Sequence, residues 1–220
     1  MNANPMQPPF SSQFQQHYWS ASGGEAEKTH VFLQGNRLPE RFAAANHFTV
    51  AELGFGTGLS FLLTAQLFHQ VASKGSILTY VAYEKHPFAP DALAAIQSGF
   101  SPHLISAEFA ALYAPQPGWN TMRLGAITLH LYVGDALDGI LSQPMPADAW
   151  FLDGFSPDTN PDMWSPTLLA HVAAHTTPGG TASSYSVAHA VREALTEVGF
   201  TVEKAPGHPP KRHMLRATKA

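Results

Sequence analysis

TVAELGFGTGLSFLL, residues 49–63, is the stretch on which the fold turns. An apolar run with β-branched residues (FTVAEL, 48–53) enters a turn where Gly54, Gly56 and Gly58 alternate with Phe55 and Thr57, and an apolar helical pattern (LSFLLTAQLF) leaves it. The order is strand, glycine turn, helix. Glycine at every second position lets the backbone take positive φ and approach a ligand with no Cβ in the way, while the next helix presents its unpaired N–H groups there. Such a turn cradles a cofactor, unless it is an ordinary tight strand-to-helix connection.

Which cofactor follows from what is missing. A phosphate-binding P-loop needs a Lys-Ser/Thr pair after its glycines, and none follows here. A dinucleotide turn needs its third glycine at position 59, which is Leu59. The pattern is instead acidic-x-G-x-G-x-G, with Glu52 as the acid. An acid beside the turn repels a pyrophosphate but suits S-adenosylmethionine, whose ammonium and sulfonium are positive and which carries no phosphate.

Composition sets the outer bounds. The 220 residues suffice for one good-sized core, 45% are apolar and 13% charged, and 17 Gly with 18 Pro promise many loops. Cys is absent, which excludes disulfides and thiolate metal sites. No apolar run approaches the roughly 20 residues of a membrane span, and MNANPMQPPFSSQFQQ (1–16) lacks the regions of a signal peptide, so a cytoplasmic protein without a membrane partner is expected. A net charge of −4 argues against broad electrostatic wrapping of nucleic acid and leaves only a local basic patch. Among twelve histidines, His171 and His175 have i, i+4 spacing, but no acid accompanies them as in H-E-x-x-H, so no metal site is expected.

Along the chain, residues 1–16 read as a flexible N-terminus and 17–220 as a single domain whose residues 17–47 form an extension folded over the sheet. Within that extension HVFL (30–33) reads as a short β-like run, and Gly35-Asn36 as a hairpin turn or as a lining of the cofactor site. ILTYVAYE (77–84) is a strand that delivers Glu84 to its carboxyl end, where in an open parallel sheet an acid can accept both ribose hydroxyls. Helices are expected over Pro87–Gln97 and 103–113. TMRL and ITLHLYV, separated by Gly125-Ala126, read as a hairpin of type II′. It ends at Gly134-Asp135. Gly134 permits close approach, and Asp135 either accepts a hydrogen bond from an adenine amino group or caps the helix ALDGIL. DAWFL is a strand covered on both faces, bringing Asp153 over the crevice. A helix over 165–175, capped by Ser165 and ended by Pro178-Gly179-Gly180, precedes TASSYS, VAHAVREALTEV, GFTVEKA and RHMLRA. Strand and helix patterns alternate, which gives an α/β fold with a mostly parallel sheet.

ELGFGTGLSFL, YEKHPF (83–88), DAWFLDGFSPDTNPDMWSP (148–166) and GFTVEKAPGHPPKRHML (199–215) resemble the methyltransferase domain of the bifunctional tRNA 5-methylaminomethyl-2-thiouridine biosynthesis protein and its single-domain relatives. The resemblance runs from about residue 14 to the end. It implies a class I S-adenosylmethionine-dependent fold, Rossmann-like, with a seven-stranded sheet whose last strand is antiparallel. It also implies N-methylation of the 5-aminomethyl group of the wobble uridine in the anticodon loop of tRNA. It puts the cofactor against Glu52, Gly54, Gly56, Gly58, Glu84 and Asp135, and places Asp153 beside the reacting amine. Two departures stand out: Ser60 where Asn is common, and a helix after Tyr185 that carries His189 and one arginine, Arg192, where relatives are more basic. The oxidase domain of the bifunctional protein has no counterpart here, so an aminomethyl uridine must come from another enzyme.

With RNA as substrate, Phe155 and Tyr185 are candidates to stack on the uridine, or else belong to the core. Lys204, Lys211, Arg212, Arg216 and Lys219 form a C-terminal basic cluster, of which Lys211 and Arg212 are the candidates for pairing with phosphates; a solvated edge is the alternative. The rival functions are methylation of a small amine and a non-catalytic, cofactor-holding tRNA-binding subunit.

Overall fold

The computed structural model describes residues 8–21, 23–104 and 106–220. Of the flexible stretch expected over 1–16, residues 1–7 lie outside the described residues, and Pro8–Gln16 is folded. A short antiparallel pair, β1 (Phe10–Ser11) and β2 (Gln16–His17), opens the described chain. Helix α1 (Gly24–Lys28) runs into one wide turn over Thr29–Gln34, where the Gly35 N–H reaches back five residues to the His30 carbonyl (3.2 Å); α2 (Leu38–Ala44) follows. The HVFL run is therefore helical and not β, because Val31, Phe32 and Leu33 are all buried under the sheet and a run this short has no period to read.

Gly35-Asn36 is neither a hairpin turn nor part of the cofactor site. Asn36 is fully buried, and its Nδ2 donates to the Phe32 carbonyl (2.9 Å), the Ser183 hydroxyl (2.7 Å) and the Trp150 carbonyl (3.3 Å). It pins the extension to the sheet. Such a side chain is retained in a core because every polar atom finds a partner.

The remaining elements alternate as the patterns require: β3 (His47–Leu53), α3 (Leu59–Val71), β4 (Ile77–Glu84), α4 (Pro90–Gln97), α5 (Ala107–Leu112), β5 (Gly118–Leu124), β6 (Ile127–Val133), α6 (Ala136–Ser142), β7 (Ala147–Leu152), α7 (Pro166–Ala174), β8 (Thr176–Ser184), α8 (His189–Glu197), β9 (Phe200–Pro206) and β10 (His213–Lys219). The single helix expected over 103–113 is divided. A 3-10 turn covers Pro102–Leu104, and Ser106 then starts α5 by accepting the Phe109 N–H (3.1 Å).

The sheet order is β5-β6-β4-β3-β7-β8-β10-β9. Strands β6, β4, β3, β7 and β8 are parallel neighbours, while β10 runs antiparallel between β8 and β9. This is a seven-stranded frame with its last strand reversed, widened to eight by β5, the first arm of the hairpin. Gly125 turns that hairpin at φ +58. Pro178-Gly179-Gly180 does not terminate a helix: α7 stops at Ala174, and the tripeptide lies inside β8, where the step from Ala147 to Ala149 on β7 is matched by the longer step from Thr176 to Thr181 on β8. A bulge of that size lets proline leave the ladder.

Both sheet faces are covered. On β3, Phe48 and Val50 join the core under α2 and α3, while Ala51 and Leu53 join Trp150 and Leu152 in the core under α6, α7 and α8. The burial aligns the carboxyl ends of β3, β4, β6 and β7 on one rim, the place where open α/β sheets bind ligands. Among the described residues no helix is long and apolar enough to cross a membrane.

Candidate active site

A cavity of about 1030 Å³ opens on that rim. Its floor is the glycine turn. The N–H groups of Gly54 and Phe55 both donate to the Tyr83 carbonyl (2.9 and 3.1 Å), which ties the turn to the end of β4. Gly54 takes φ +85, and a Cβ there meets the Asp153 carbonyl at 2.5 Å. Gly56 (φ +54) donates its N–H to Glu84 Oε2 (2.8 Å), and the Tyr18 ring packs where its Cβ would be (3.1 Å). Gly58 does not line the cavity; at φ +71 it caps α3.

Glu84 and Asp135 face the cavity from the ends of β4 and β6. Glu84 also accepts the His86 N–H (2.8 Å), so the candidate ribose acceptor is held by backbone donors and keeps lone pairs free. Gly134 lines the wall with φ +152. Asp135 realises its capping role, accepting the Leu137 N–H (3.0 Å), and pairs with Lys85 (3.1 Å) while remaining on the cavity wall.

Glu52 requires a correction. It is fully buried, takes no part in the lining, and accepts a hydrogen bond from the Tyr80 hydroxyl (2.8 Å). Burial first, and repulsion from Asp153 second, push its carboxyl up to about 8. At neutral pH it is protonated, so it supports the turn from beneath and brings no charge to the ligand. Alternation decides this: Glu52 shares a face of β3 with Val50, under α3.

At the other end of the cavity Asp153 follows β7 and forms an ion pair with Lys28 of α1. Both side chains are only 11% exposed. Burial raises the Asp153 carboxyl above its ordinary range, and the Lys28 ammonium offsets only part of that rise. Burial alone lowers Lys28, but Asp153, with Glu52 and Glu27, outweighs it and holds the ammonium above its ordinary value. Lys211 reaches in from the loop before β10, with Nζ 3.6 Å from the centre of the Tyr185 ring and 3.5 Å from Glu27 Oε1. Tyr185 donates its hydroxyl to the Gly154 carbonyl and lines the cavity.

Phe155 lines the cavity as well, but one face is stacked on Phe14 (4.5 Å between centroids, 20° between planes) and Tyr18 meets it edge-on. Gln16 locks this strap in place: its Nε2 donates to the Ser156 hydroxyl (2.6 Å) and its Oε1 accepts the Ser156 N–H (3.0 Å). Arg212 is exposed and stands outside the cavity. Lys28, Glu27, Gln16 and Tyr18 were not identified from sequence. Three of them lie in the extension and Gln16 in the stretch before it, and the pair Glu27-Lys28 in GGEAEK looks like any solvated helix face.

A parallel sheet with a reversed last strand, a glycine turn at the end of its central strand and carboxylates on the two following strand ends define a class I methyltransferase. The residues fit S-adenosylmethionine: Gly54 and Gly56 leave a cradle that side chains would fill, and Glu84 and Asp135 offer acceptors for hydroxyl and amino groups. A family model described as S-adenosyl-L-methionine-dependent methyltransferase matches residues 103–220, and the chain belongs to that family. It is 42% identical over 215 residues to the tRNA 5-methylaminomethyl-2-thiouridine biosynthesis bifunctional protein MnmC of Chromobacterium violaceum, covering 94% of this chain and 32% of that protein. It is 42% identical over 218 residues to the protein of the same name from Pseudomonas aeruginosa, covering 96% and 33%. The chain spans about a third of the length of these curated relatives. Among solved structures, MnmC2 from Aquifex aeolicus superposes with a TM-score of 0.77 at 24% identity, over 94% of this chain and 65% of that one. A spermidine synthase superposes with a TM-score of 0.55 at 10% identity, over 86% and 60%; both likenesses concern the fold.

Proposed function

We propose that this chain methylates the nitrogen of the 5-aminomethyl group on the wobble uridine of tRNA. The observation that carries the reading is the carboxyl of Asp153, set at the end of β7 within the cavity, with its own carbonyl against Gly54. The MnmC proteins, similar over nearly all of this chain, bear in their name the biosynthesis of the product such a transfer gives.

Gly54, Gly56, Glu84 and Asp135 would hold S-adenosylmethionine. When bound it supplies a methyl on a sulfonium, so that an N–C bond forms as a C–S bond breaks and the positive charge passes from sulfur to nitrogen. The acceptor nitrogen must arrive with its lone pair free, yet an alkylamine with a reference value near ~10.4 is mostly protonated at neutral pH. Asp153 accepts the amine's hydrogen bond or its proton and thereby aims the lone pair. Phe155 and Tyr185 line the path by which an unstacked anticodon-loop base reaches Asp153. An enzyme activity outside these residues supplies the aminomethyl uridine.

Labelled cofactor incubated with tRNA bearing aminomethyl uridine, followed by nucleoside analysis, tests the reading. Label is expected in methylaminomethyl uridine. Asp153→Asn should keep cofactor binding and slow single-turnover methylation by about 10²-fold, the lower end of what a positioned acid–base group contributes. Label found only in small amines, with the tRNA untouched, would falsify the tRNA assignment.

A further inference from the structure

In the ion pair that closes the inner end of the cavity, Asp153 already holds an ammonium group, that of Lys28. The groups facing this pair come from every neighbouring element: Glu27 from α1, Glu52 from β3, Tyr80 from β4, Tyr185 after β8, and Lys211 before β10. Their charges close. Asp153 and Glu27 are matched by Lys28 and Lys211, while Glu52, held near 8, is protonated at neutral pH. An alkylammonium entering this pocket meets no unpaired anion. It meets instead the Lys28 ammonium, whose side chain is only 11% exposed, so that the repulsion between like charges is little screened by water.

We propose that Lys28 is a positioning residue which, by occupying the charge of Asp153, makes the site take its acceptor amine only in the uncharged form. This rests on the reading that the acceptor is an amine, and deepens it: Asp153 is left to receive a hydrogen bond from the neutral amine and takes no proton from an ammonium. The proton is lost to solvent before the amine is seated, and the proton that the nitrogen must shed once it carries the methyl group leaves the same way. Lys28 is suited to the task because its ammonium is buried against the Asp153 carboxylate, which holds it above its ordinary value.

The protein as it stands, Lys28→Gln and Lys28→Arg are compared on tRNA bearing 5-aminomethyl uridine, by single-turnover rates at saturating tRNA from pH 6 to 9.5. Rates at saturation report the ionisation of the bound complex. With Lys28→Gln the bound ammonium inherits Asp153, so the acid limb should move up by one unit or more. The rate at pH 7 then falls about tenfold or more and recovers toward that of the unaltered protein by pH 9.5. Affinity for the same tRNA at pH 7, measured by fluorescence titration with S-adenosylhomocysteine present, should rise in Lys28→Gln while the rate falls. Lys28→Arg should keep the original profile. A loss of rate by the same factor at every pH, weaker tRNA binding by Lys28→Gln, or a profile for Lys28→Arg displaced like that of Lys28→Gln would overturn the proposal. An unaltered protein that leaves the amine unmethylated at every pH would instead overturn the reading beneath it.

Discussion

Glu52 shows how one buried side chain can be right in position and wrong in role. Its acid type fits the pattern before the glycines, yet its carboxyl lies under the turn against Tyr80 and holds its proton to about pH 8. The consequence is a measurable pH dependence of stability. In the unfolded chain a glutamate loses its proton near ~4.3, in the folded chain near 8, so between those values the folded state binds more protons. The contribution of the protonated form is complete below the unfolded value and is lost as pH rises through the folded one. Glu52→Gln keeps a neutral, isosteric group. The variant should match the unaltered protein in thermal stability near pH 4.5 and exceed it increasingly toward pH 8, by at most about 1.4 kcal/mol per pH unit. Equal stability of the two proteins across that window would show that Glu52 is ionised in the fold.

At the scale of the element, the glycine turn was legible because its residues are chosen by backbone geometry, and geometry leaves a mark in the sequence. Gly54 illustrates it, with φ +85 and no room for a Cβ beside the Asp153 carbonyl. Gly54→Ala is expected to cost about 1–3 kcal/mol in backbone strain alone, and to abolish cofactor binding because either the turn or the Asp153 backbone must shift. Gly75 takes a similar φ of +90 in the turn before β4, with nothing within 4 Å of an added Cβ. Gly75→Ala should therefore pay a similar strain and leave cofactor affinity intact, as denaturant melts and calorimetry on the pair would show. The extension was less legible for the opposite reason. Its fold, like the placement of Gln16 just before it, is set by partners far along the chain: Asn36 by Trp150 and Ser183, Gln16 by Ser156, Lys28 by Asp153. A four-residue run such as HVFL carries no periodicity of its own, so tertiary contacts decide it. Likewise Pro178-Gly179-Gly180 has the composition of a stop, and only the register of β7 against β8 reveals a bulge.

Across the whole molecule, the C-terminal basic residues separate into groups with different work. Lys219 sits at the amino-terminal end of β9, bonded to the Val198 carbonyl (2.7 Å), on the side of the sheet away from the cavity. Lys211 is drawn into the cavity by Glu27 and Tyr185, and burial lowers its ammonium from the ordinary value. Lys204 and Arg212 remain exposed toward the cavity end of β9 and β10. In a chain of net charge −4, attraction to the proposed tRNA has to be local, and these two exposed residues lie at the same end of the sheet as the cavity. Lys204→Glu with Arg212→Glu should weaken tRNA binding while leaving cofactor affinity unchanged, since neither side chain lines the cavity. If each neutralises one phosphate, the slope of log affinity against log salt should flatten by about 1.4 to 1.8, the sum of two released counterions at roughly 0.7–0.9 each. Titrations between about 50 and 200 mM salt would resolve that change, and a slope identical to that of the unaltered protein would move the tRNA contact away from this end of the sheet.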